Sequence, residues 1–492
     1  MRLSSLLAWL PAAELRGDGD LEIADVTYDS RRAAPRSLFV AIRGHATDGN
    51  DFVAAARTKG AVAICSEAAP RGEGTWVRVP DAREALALLA AAAHGHPAQA
   101  LELVGVTGTN GKTTTAYLID SALRAAGEKG GLLGTVEYRV GDRVAEAVRT
   151  TPESSDLQAL LRQMADAGCR RAVLEVSSHS LALKRVVGLD FRVAVFTNLT
   201  RDHLDFHGDM DSYFAAKRAL FEMLLRADGH GIVNLDDDRS AELVRASRGT
   251  VWTYSLEDPG ADLFAEDLRI SLEGARFRAR TPVGSLDVET PLLGRFNVQN
   301  ALAALGAGLA LGLPKDAVQR GIATLRGVSG RMERVAVGQD FTVLVDYAHT
   351  DDALKNLLET VRELRPRRVV TVFGCGGDRD RTKRPLMGAV AARLSDVVVL
   401  TSDNPRGEPP EAILAEIRRG IPATRAADTL VITDRREAIG RALEMGREGV
   451  VVVIAGKGHE THQVLRDRTV PFDDRQVARE ALARLAEAGE KR

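Results

Sequence analysis

The residues best equipped for chemistry form the run Thr-Gly-Thr-Asn-Gly-Lys-Thr-Thr-Thr at 107–115. Gly108 and Gly111 let the backbone approach an anion, Lys112 brings charge to outer phosphates, and the Thr113 hydroxyl can ligate Mg²⁺. These roles require a loop between a strand and a helix, where backbone N–H groups and the positive helix end converge. Both flanks are present. The run 101–107 reads as a strand, and Ala116, Leu118, Ile119, Ala122, Leu123 and Ala126 recur at helical spacing until Gly127 stops them. A full P-loop has Gly five residues before Gly111; Val106 stands there, so the motif is the shortened Gly-x-x-Gly-Lys-Thr form. It predicts an ATP or GTP site, with Thr109, Asn110, Gly111, Lys112, Thr113, Thr114 and Thr115 around the phosphates.

A phosphate loop leaves motors, switches, kinases and ligases open. Further along the chain, Glu175 ends a buried-strand run and precedes Val-Ser-Ser-His-Ser, where its carboxylate can reach a metal at the phosphates. His203 stands beside Asp202 and Asp205 in an acidic segment that suits a cation. By spacing alone, Lys217 is a surface lysine on a helix over 212–225. Asn300 reads as a helix-start group, Asp346 as a strand-end carboxylate, and Asn404-Pro405 as a turn.

These groups need a scaffold. A chain of 492 residues predicts two to four domains at ~100–200 residues each. Gly and Pro break the pattern at 94–97, and a second break falls at 325–330. Between them, strand runs at 172–176, 193–196 and 231–234 alternate with helical patterns, as in a mostly parallel sheet. A hairpin-like stretch at 264–290 and a helix over 297–311 close that block. After the second break the alternation restarts with Val-rich runs at 341–345, 368–373, 397–400 and 450–454, typical of strands covered on both faces. The fold class is therefore α/β, in three units at 1–97, 98–328 and 329–492.

Composition narrows the function. Lys+Arg is 66 and Asp+Glu is 68, a net charge of -2, which lacks the basic excess of a nucleic-acid binder. Cys65, Cys169 and Cys375 are odd in number and far apart, so no disulfide framework is expected, and a cytoplasmic location is. The longest apolar stretches, 85–93 and 301–313, fall short of the ~18–20 residues of a membrane span. The first residues read as an amphipathic helix rather than a signal peptide.

Several segments together resemble the Mur ligases, ATP-dependent enzymes that form the amide bonds of peptidoglycan precursors. They are Gly-Thr-Asn-Gly-Lys-Thr (108–113), Glu-Val-Ser-Ser-His (175–179), Asn-Leu-Thr-Arg-Asp-His-Leu-Asp-Phe-His (198–207) and Tyr-Phe-Ala-Ala-Lys (213–217). Gly-Arg-Phe-Asn-Val-Gln-Asn (294–300), Gly-Arg-Met-Glu (330–333) and Val-Asp-Tyr-Ala-His (345–349) follow in order. The resemblance implies an N-terminal unit that holds a UDP-substrate, a central P-loop ATPase and a C-terminal Rossmann-like unit that binds an amino acid. It implies ATP and two Mg²⁺ ions, with Thr113, Glu175, His203 and a carbamylated Lys217 at the metal, and Lys112 among the catalytic groups. Asn300, Arg331 and Asp346 would then hold the nucleotide.

Within the family, Asp-Ser-Arg (29–31), Thr-Thr-Pro (150–152), Gly-Cys-Gly-Gly-Asp-Arg-Asp (374–380), Asp-Asn-Pro-Arg (403–406) and Gly-Lys-Gly-His-Glu (456–460) resemble one branch. That branch adds meso-diaminopimelate to UDP-N-acetylmuramoyl-L-alanyl-D-glutamate (the UDP-MurNAc-dipeptide). The implied UDP-substrate contacts are Tyr28, Ser30, His45, Ala46, Thr47, Thr150, Thr151, Ser177 and Arg185; Leu183 replaces a Gln frequent in the family. The implied diaminopimelate contacts are Arg379, Asp403, Asn404, Pro405, Arg406, Gly456 and Glu460. The partners expected are these small molecules, with no nucleic acid and no membrane, and the chain is expected to be a monomer. The D-Ala-D-Ala-adding ligases and folylpolyglutamate synthetases share the phosphate loop, but Asp-Asn-Pro-Arg fits them poorly. A nucleotide-hydrolysing switch is the rival of another class.

Overall fold

The computed structural model describes residues 1–44, 47–70, 72–271 and 273–490. Strands β1 (Glu14–Arg16), β2 (Asp25–Thr27), β3 (Ser37–Ala41), β4 (Ala61–Ser66) and β5 (Thr75–Arg78) form the first sheet, in the order β1-β5-β4-β3-β2. Only the β1 edge is antiparallel. Helices α1 (Leu3–Leu7), α2 (Val53–Thr58) and α3 (Ala82–Ala93) cover it. The opening helix buries Leu3 and Leu6 in this core. Asp81 starts α3 by accepting from the Arg83 and Glu84 amides, which would otherwise lack partners.

The central sheet places the phosphate loop. Its strands are β6 (Glu102–Thr107), β7 (Gly130–Leu133), β8 (Glu137–Val140), β9 (Arg143–Glu146), β10 (Arg171–Glu175), β11 (Phe191–Phe196), β12 (Leu225–Asn234), β13 (Thr250–Ser255), β14 (Leu263–Ser271), β15 (Gly274–Arg280) and β16 (Leu286–Thr290). The order is β16-β15-β14-β13-β12-β11-β6-β10-β7-β8-β9. From β14 through β7 the pairing is parallel, and an antiparallel ribbon extends each end. Around it lie α4 (Lys112–Ala125), α5 (Ser154–Asp166), α6 (Ser178–Ala182), α7 (Leu204–His207), α8 (Met210–Ala219), α9 (Ser240–Ala246), α10 (Arg295–Ala310) and α11 (Lys315–Thr324). The apolar α10 is buried along almost its whole length against α4 and the sheet.

The helix expected over 212–225 is shorter. Regular α8 ends at Ala219, Leu220–Leu224 form a π-helical turn, and Leu225 opens β12 opposite Phe191. The wider turn sends both Leu220 and Phe221 into the core, each fully buried. Leu220 packs where Gly105 of β6 has no side chain: a Cβ there would lie 3.2 Å from Leu220 Cδ1 and 2.9 Å from the Phe191 ring.

The third sheet contains β17 (Glu333–Arg334), β18 (Thr342–Asp346), β19 (Arg368–Phe373), β20 (Val397–Leu400), β21 (Thr429–Val431) and β22 (Val450–Ala455), ordered β17-β18-β22-β19-β20-β21. All but β17 run parallel, so their carboxyl ends share one edge. Helices α12 (Asp351–Glu363), α13 (Lys383–Leu394), α14 (Pro410–Arg418), α15 (Arg435–Leu443) and α16 (Asp474–Glu490) pack on both faces, and a small hairpin, β23 (His462–Val464) with β24 (Thr469–Pro471), follows β22.

A fully buried ion pair fastens this unit. Arg435 meets Asp474 through two bonds of 2.8 and 2.7 Å and donates to the Ala455 carbonyl at the end of β22. Removing one partner strands a buried charge, so Asp474→Ala should cost about 3–5 kcal/mol of stability. Arg435→Met/Asp474→Leu, which removes both charges, should lose far less. Thermal melting of the two variants checks the contrast, and equal losses would argue against it.

Candidate active site

The phosphate loop leaves β6 at Thr107 and enters α4 at Lys112. Gly108 (φ 147°) and Gly111 (φ 86°) adopt left-handed backbone. A Cβ would lie 1.9 Å from Thr197 Oγ1 at Gly108 and 2.5 Å from Asn300 Oδ1 at Gly111. The glycines are thus required by packing beneath the loop as well as by its concave face. Lys112 Nζ curls back onto the Gly108 and Thr109 carbonyls at 2.9 and 2.7 Å. Asn110 N donates to Asn198 Oδ1 (2.9 Å), and Thr109 Oγ1 lies 3.1 Å from the Tyr213 hydroxyl. Beneath the helix start, Thr115 Oγ1 donates to Asn300 Oδ1 (3.2 Å), while Asn300 Nδ2 donates to Asn297 Oδ1 (3.0 Å). Thr114 is also buried on this first turn.

Glu175, at the end of β10, faces the loop. Its Oε2 accepts from Thr113 Oγ1 (2.9 Å) and Thr135 Oγ1 (3.0 Å), and its Oε1 accepts from Thr135 N (2.8 Å). Arg331 arrives from the C-terminal unit, its Nη2 3.5 Å from Thr113 Oγ1 and its guanidinium over the Tyr347 ring at 4.7 Å. Asp346 accepts from the Met332 and Ala348 amides at 2.7 Å each. Burial pushes its carboxyl above the usual value, against the pull of Arg331 and those amides.

Lys217 is 1% exposed, contrary to the surface position its spacing suggests. Its Nζ donates to the Gly108 carbonyl (2.7 Å) and lies 4.3 Å from the Tyr213 ring centre. Burial, reinforced by the positive Lys112, drives its ammonium well below the ordinary lysine value. His203 holds a left-handed backbone (φ 55°), stacks edge-on to His179 at 4.7 Å and stands 3.4 Å from Asp202.

Mg²⁺ takes oxygen ligands and keeps much of its shell from water and phosphate. The Thr113 hydroxyl and Glu175 carboxylate, hydrogen-bonded to each other beside the loop, suit such an ion. Among the described residues no three His, Cys, Asp or Glu side chains converge as a ready-made metal cage.

On the other side of Glu175, Thr151 Oγ1 donates to the Glu175 carbonyl (2.7 Å) and lies 3.3 Å from Ser177 Oγ, and Thr150 Oγ1 lies 3.1 Å from Thr135 Oγ1. Arg185 reaches the Thr151 carbonyl (3.1 Å) and Glu153 (2.7 Å). Thr150, Thr151, Ser177 and Arg185 therefore form one group. Tyr28 sits on the facing N-terminal unit, where burial, then the negative Asp156 and Glu153, raise its phenol above the usual value. No hydrogen bond joins Ser30 or Thr47 to that group among the described residues, and His45 and Ala46 lie outside them.

A cleft of about 430 Å³ opens between the central and C-terminal units. His203 and Asp202 line its central wall; Arg379, Asp403, Asn404, Arg406, Gly456 and Glu460 line the other. Arg406 (φ 50°) is held by its Nη1 on the Gly377 carbonyl (3.0 Å) and its amide on the Val464 carbonyl (3.1 Å). Its Nε and Nη2 take no protein acceptor among the described residues. Pro405 is buried in the same turn. Gly456 (φ 115°) leaves room for Asp403, whose Oδ2 would lie 2.5 Å from a Cβ there. Burial pushes the Glu460 carboxyl up, but Lys457 and Asn404 outweigh it and hold the group below its ordinary value.

Sequence reasoning passed over several groups here. Thr135 shares Glu175, Asp352 accepts from Asn110 Nδ2 (3.3 Å), and Lys383 donates to the His349 carbonyl (2.8 Å). Tyr347 and His349 line the cleft. Both belong to Val-Asp-Tyr-Ala-His, so a signal existed, but only Asp346 received a role.

Three family models match the chain: "Mur ligase family, catalytic domain" over 22–94, "Mur ligase middle domain" over 106–308, and "Mur ligase, glutamate ligase domain" over 330–458. The chain belongs to the Mur ligase family. It is 52% identical over 467 residues to the UDP-N-acetylmuramoyl-L-alanyl-D-glutamate–2,6-diaminopimelate ligase of Solibacter usitatus (strain Ellin6076), covering 94% of each chain. The enzyme of the same name from Syntrophomonas wolfei subsp. wolfei (strain DSM 2245B / Goettingen) is 46% identical over 485 residues, covering 98% of this chain and 99% of that one. A solved structure of a protein so named superposes with a TM-score of 0.71 at 35% identity, over 99% of this chain and 100% of that one. MurF from Acinetobacter baumannii, at 21% identity and a TM-score of 0.66 over 92% and 95% of the two chains, shares the fold.

Proposed function

We propose that this chain is an ATP-dependent ligase that joins meso-2,6-diaminopimelate to the D-Glu of UDP-N-acetylmuramoyl-L-alanyl-D-glutamate, in the cytoplasm, as a step of peptidoglycan precursor synthesis. The observation that carries the reading is the cleft. It sets an arginine fork and two carboxylates, Asp403 and Glu460, in the same cleft as Tyr347, whose ring lies under the Arg331 guanidinium that reaches Thr113 of the phosphate loop. A second ammonium–carboxylate centre, which diaminopimelate has and lysine lacks, matches that mixture of charges.

A carboxylate is a poor acyl donor because its leaving group would be an oxide. One γ-carboxylate oxygen of D-Glu attacks the γ-phosphorus of ATP, the bond to the β–γ bridging oxygen breaks, and ADP leaves. The acyl phosphate then takes the amine at its carbonyl carbon, the nitrogen loses a proton, and phosphate departs. Two anions meet in the first step. Lys112 supplies positive charge at the outer phosphates, and the loop amides fix their position. Mg²⁺, held through Thr113, Glu175, His203 and a carbamate on Lys217, would screen the same repulsion. Asn300, Arg331 and Asp346 would hold the nucleotide, with Arg331 bringing the C-terminal unit onto it. Thr150, Thr151, Ser177 and Arg185 would orient the UDP-MurNAc-dipeptide, with Tyr28, Ser30 and Thr47 of the N-terminal unit holding it as well. The chain would act as a monomer.

A panel of diaminopimelate, lysine, ornithine and D-Ala-D-Ala, read by ADP release with the UDP-dipeptide present, tests this. Turnover should require the dipeptide and be strongest with diaminopimelate. Hydrolysis at a similar rate without either acceptor would instead indicate a nucleotide switch.

A further inference from the structure

Lys457 is the middle residue of Gly456-Lys-Gly458 and is 0% exposed. The two glycines explain how a lysine comes to point inward. Both have positive φ (115° and 52°), and a Cβ at Gly458 would lie 2.7 Å from Tyr347 Cβ and 2.8 Å from the Gly330 carbonyl oxygen. The backbone is thus pressed against Tyr347, just after β18, and against Gly330, and the side chain between the glycines is buried. Burying an ammonium is unfavourable unless it is paired. Among the described residues its hydrogen-bond partners are two cleft residues: Nζ donates to Asn404 Oδ1 (3.0 Å) and to Glu460 Oε2 (2.8 Å).

The network has one consistent hydrogen-bond assignment. Asn404 Oδ1 accepts from both Lys457 Nζ and Val464 N (2.9 Å), so its amide nitrogen must face Glu460, to which it donates at 2.8 Å. That donation and the Lys457 ammonium both fall on Oε2 of Glu460, leaving Oε1 without a protein donor among the described residues. Without the Lys457 side chain, Oε2 would lose its ammonium donor and keep only the Asn404 amide, and the carboxylate could turn either oxygen to the cleft or to water.

We propose that Lys457 is a positioning residue for the incoming amino acid: it locks the Glu460 carboxylate and the Asn404 amide in the one arrangement that presents Glu460 Oε1 to the substrate's distal ammonium. The inference rests on the diaminopimelate reading above and adds to it a residue that touches no substrate. Because Lys457 acts through Glu460, its influence should fall on amino-acid affinity and vanish when Glu460 no longer carries charge.

A double-mutant cycle tests it, with kcat and all three KM values measured on the full-length enzyme. Lys457→Met should raise the KM for diaminopimelate about tenfold or more, with kcat within about threefold and the KM for ATP and the UDP-dipeptide unmoved. In a Glu460→Gln background the same substitution should add almost nothing. Equal effects in both backgrounds, a parallel loss in every parameter, or an unmoved KM would each overturn the proposal. If melting shows that Lys457→Met has lost its fold, Lys457→Gln, which keeps a donor, carries the same cycle with the same outcomes. Wild-type enzyme that fails to join diaminopimelate at all would sink the substrate reading itself. Normal wild-type joining with an indifferent Lys457→Met would sink this inference alone.

Discussion

Lys217→Ala is expected to lower kcat by about 10³-fold, comparable to removing a principal electrostatic group from an active site, while leaving the protein folded. The lysine lies 1% exposed beneath the phosphate loop, its Nζ on the Gly108 carbonyl, and shares the region with Lys112. Two cations would help one anion-binding loop, yet a second buried ammonium also repels any Mg²⁺ that ATP brings. Burial and Lys112 push Lys217 toward the neutral amine, and a neutral amine is the form that adds CO₂. That addition gives a carbamate and releases one proton, replacing a cation with an anion that offers oxygen ligands. Alanine leaves a gap where a small carboxylate can stand, so millimolar formate or acetate should restore part of the rate. Kinetics with and without added acid, together with carbon-13 NMR of the wild type under labelled CO₂, check this. Full activity in the alanine variant would remove the carbamate from the chemistry.

How legible such a site is in sequence depends on how local its parts are. The phosphate loop was readable because strand, glycines, lysine and helix are contiguous, and β6, loop and α4 follow that order. The Val-rich strands of the C-terminal sheet were readable because burial on both faces leaves no polar alternation. The antiparallel extension β8–β9 gave little signal: Arg143–Glu146 is exposed throughout, so no apolar pattern marks it. Spacing alone puts Lys217 on the surface because a lysine in a helix normally faces water; the family resemblance pointed inward instead, and the fold tucks α8 under the loop. Lys457 was passed over for a related reason. A lysine between glycines reads as a solvated turn, and the partners that pay for its burial lie at Asn404, 53 positions upstream, as well as at nearby Glu460. Contacts across units, such as Asn110 with Asp352 and Arg331 with Thr113, join positions more than 200 residues apart and leave no local trace.

Arg406→Ala is expected to raise the KM for diaminopimelate while that for ATP stays put. The guanidinium is anchored through Nη1 to the Gly377 carbonyl, while Nε and Nη2 of this cleft-lining residue take no protein acceptor among the described residues. A carboxylate can dock on those two donors through two parallel bonds, a geometry a lysine ammonium cannot copy. Truncating one partner of a desolvated charge pair costs about 2–5 kcal/mol, which corresponds to a KM rise of roughly 30- to 5,000-fold. The effect should depend on the substrate. Lysine has no distal carboxylate, so its kcat/KM should change little, and the preference for diaminopimelate should shrink by nearly the whole loss. Arg406→Lys should recover charge but not the fork, and fall between the two. Steady-state kinetics with both amino acids on all three proteins measure this directly. If diaminopimelate and lysine weakened together, Arg406 would be shaping the turn, through its bond to the Gly377 carbonyl, rather than reading the second carboxylate.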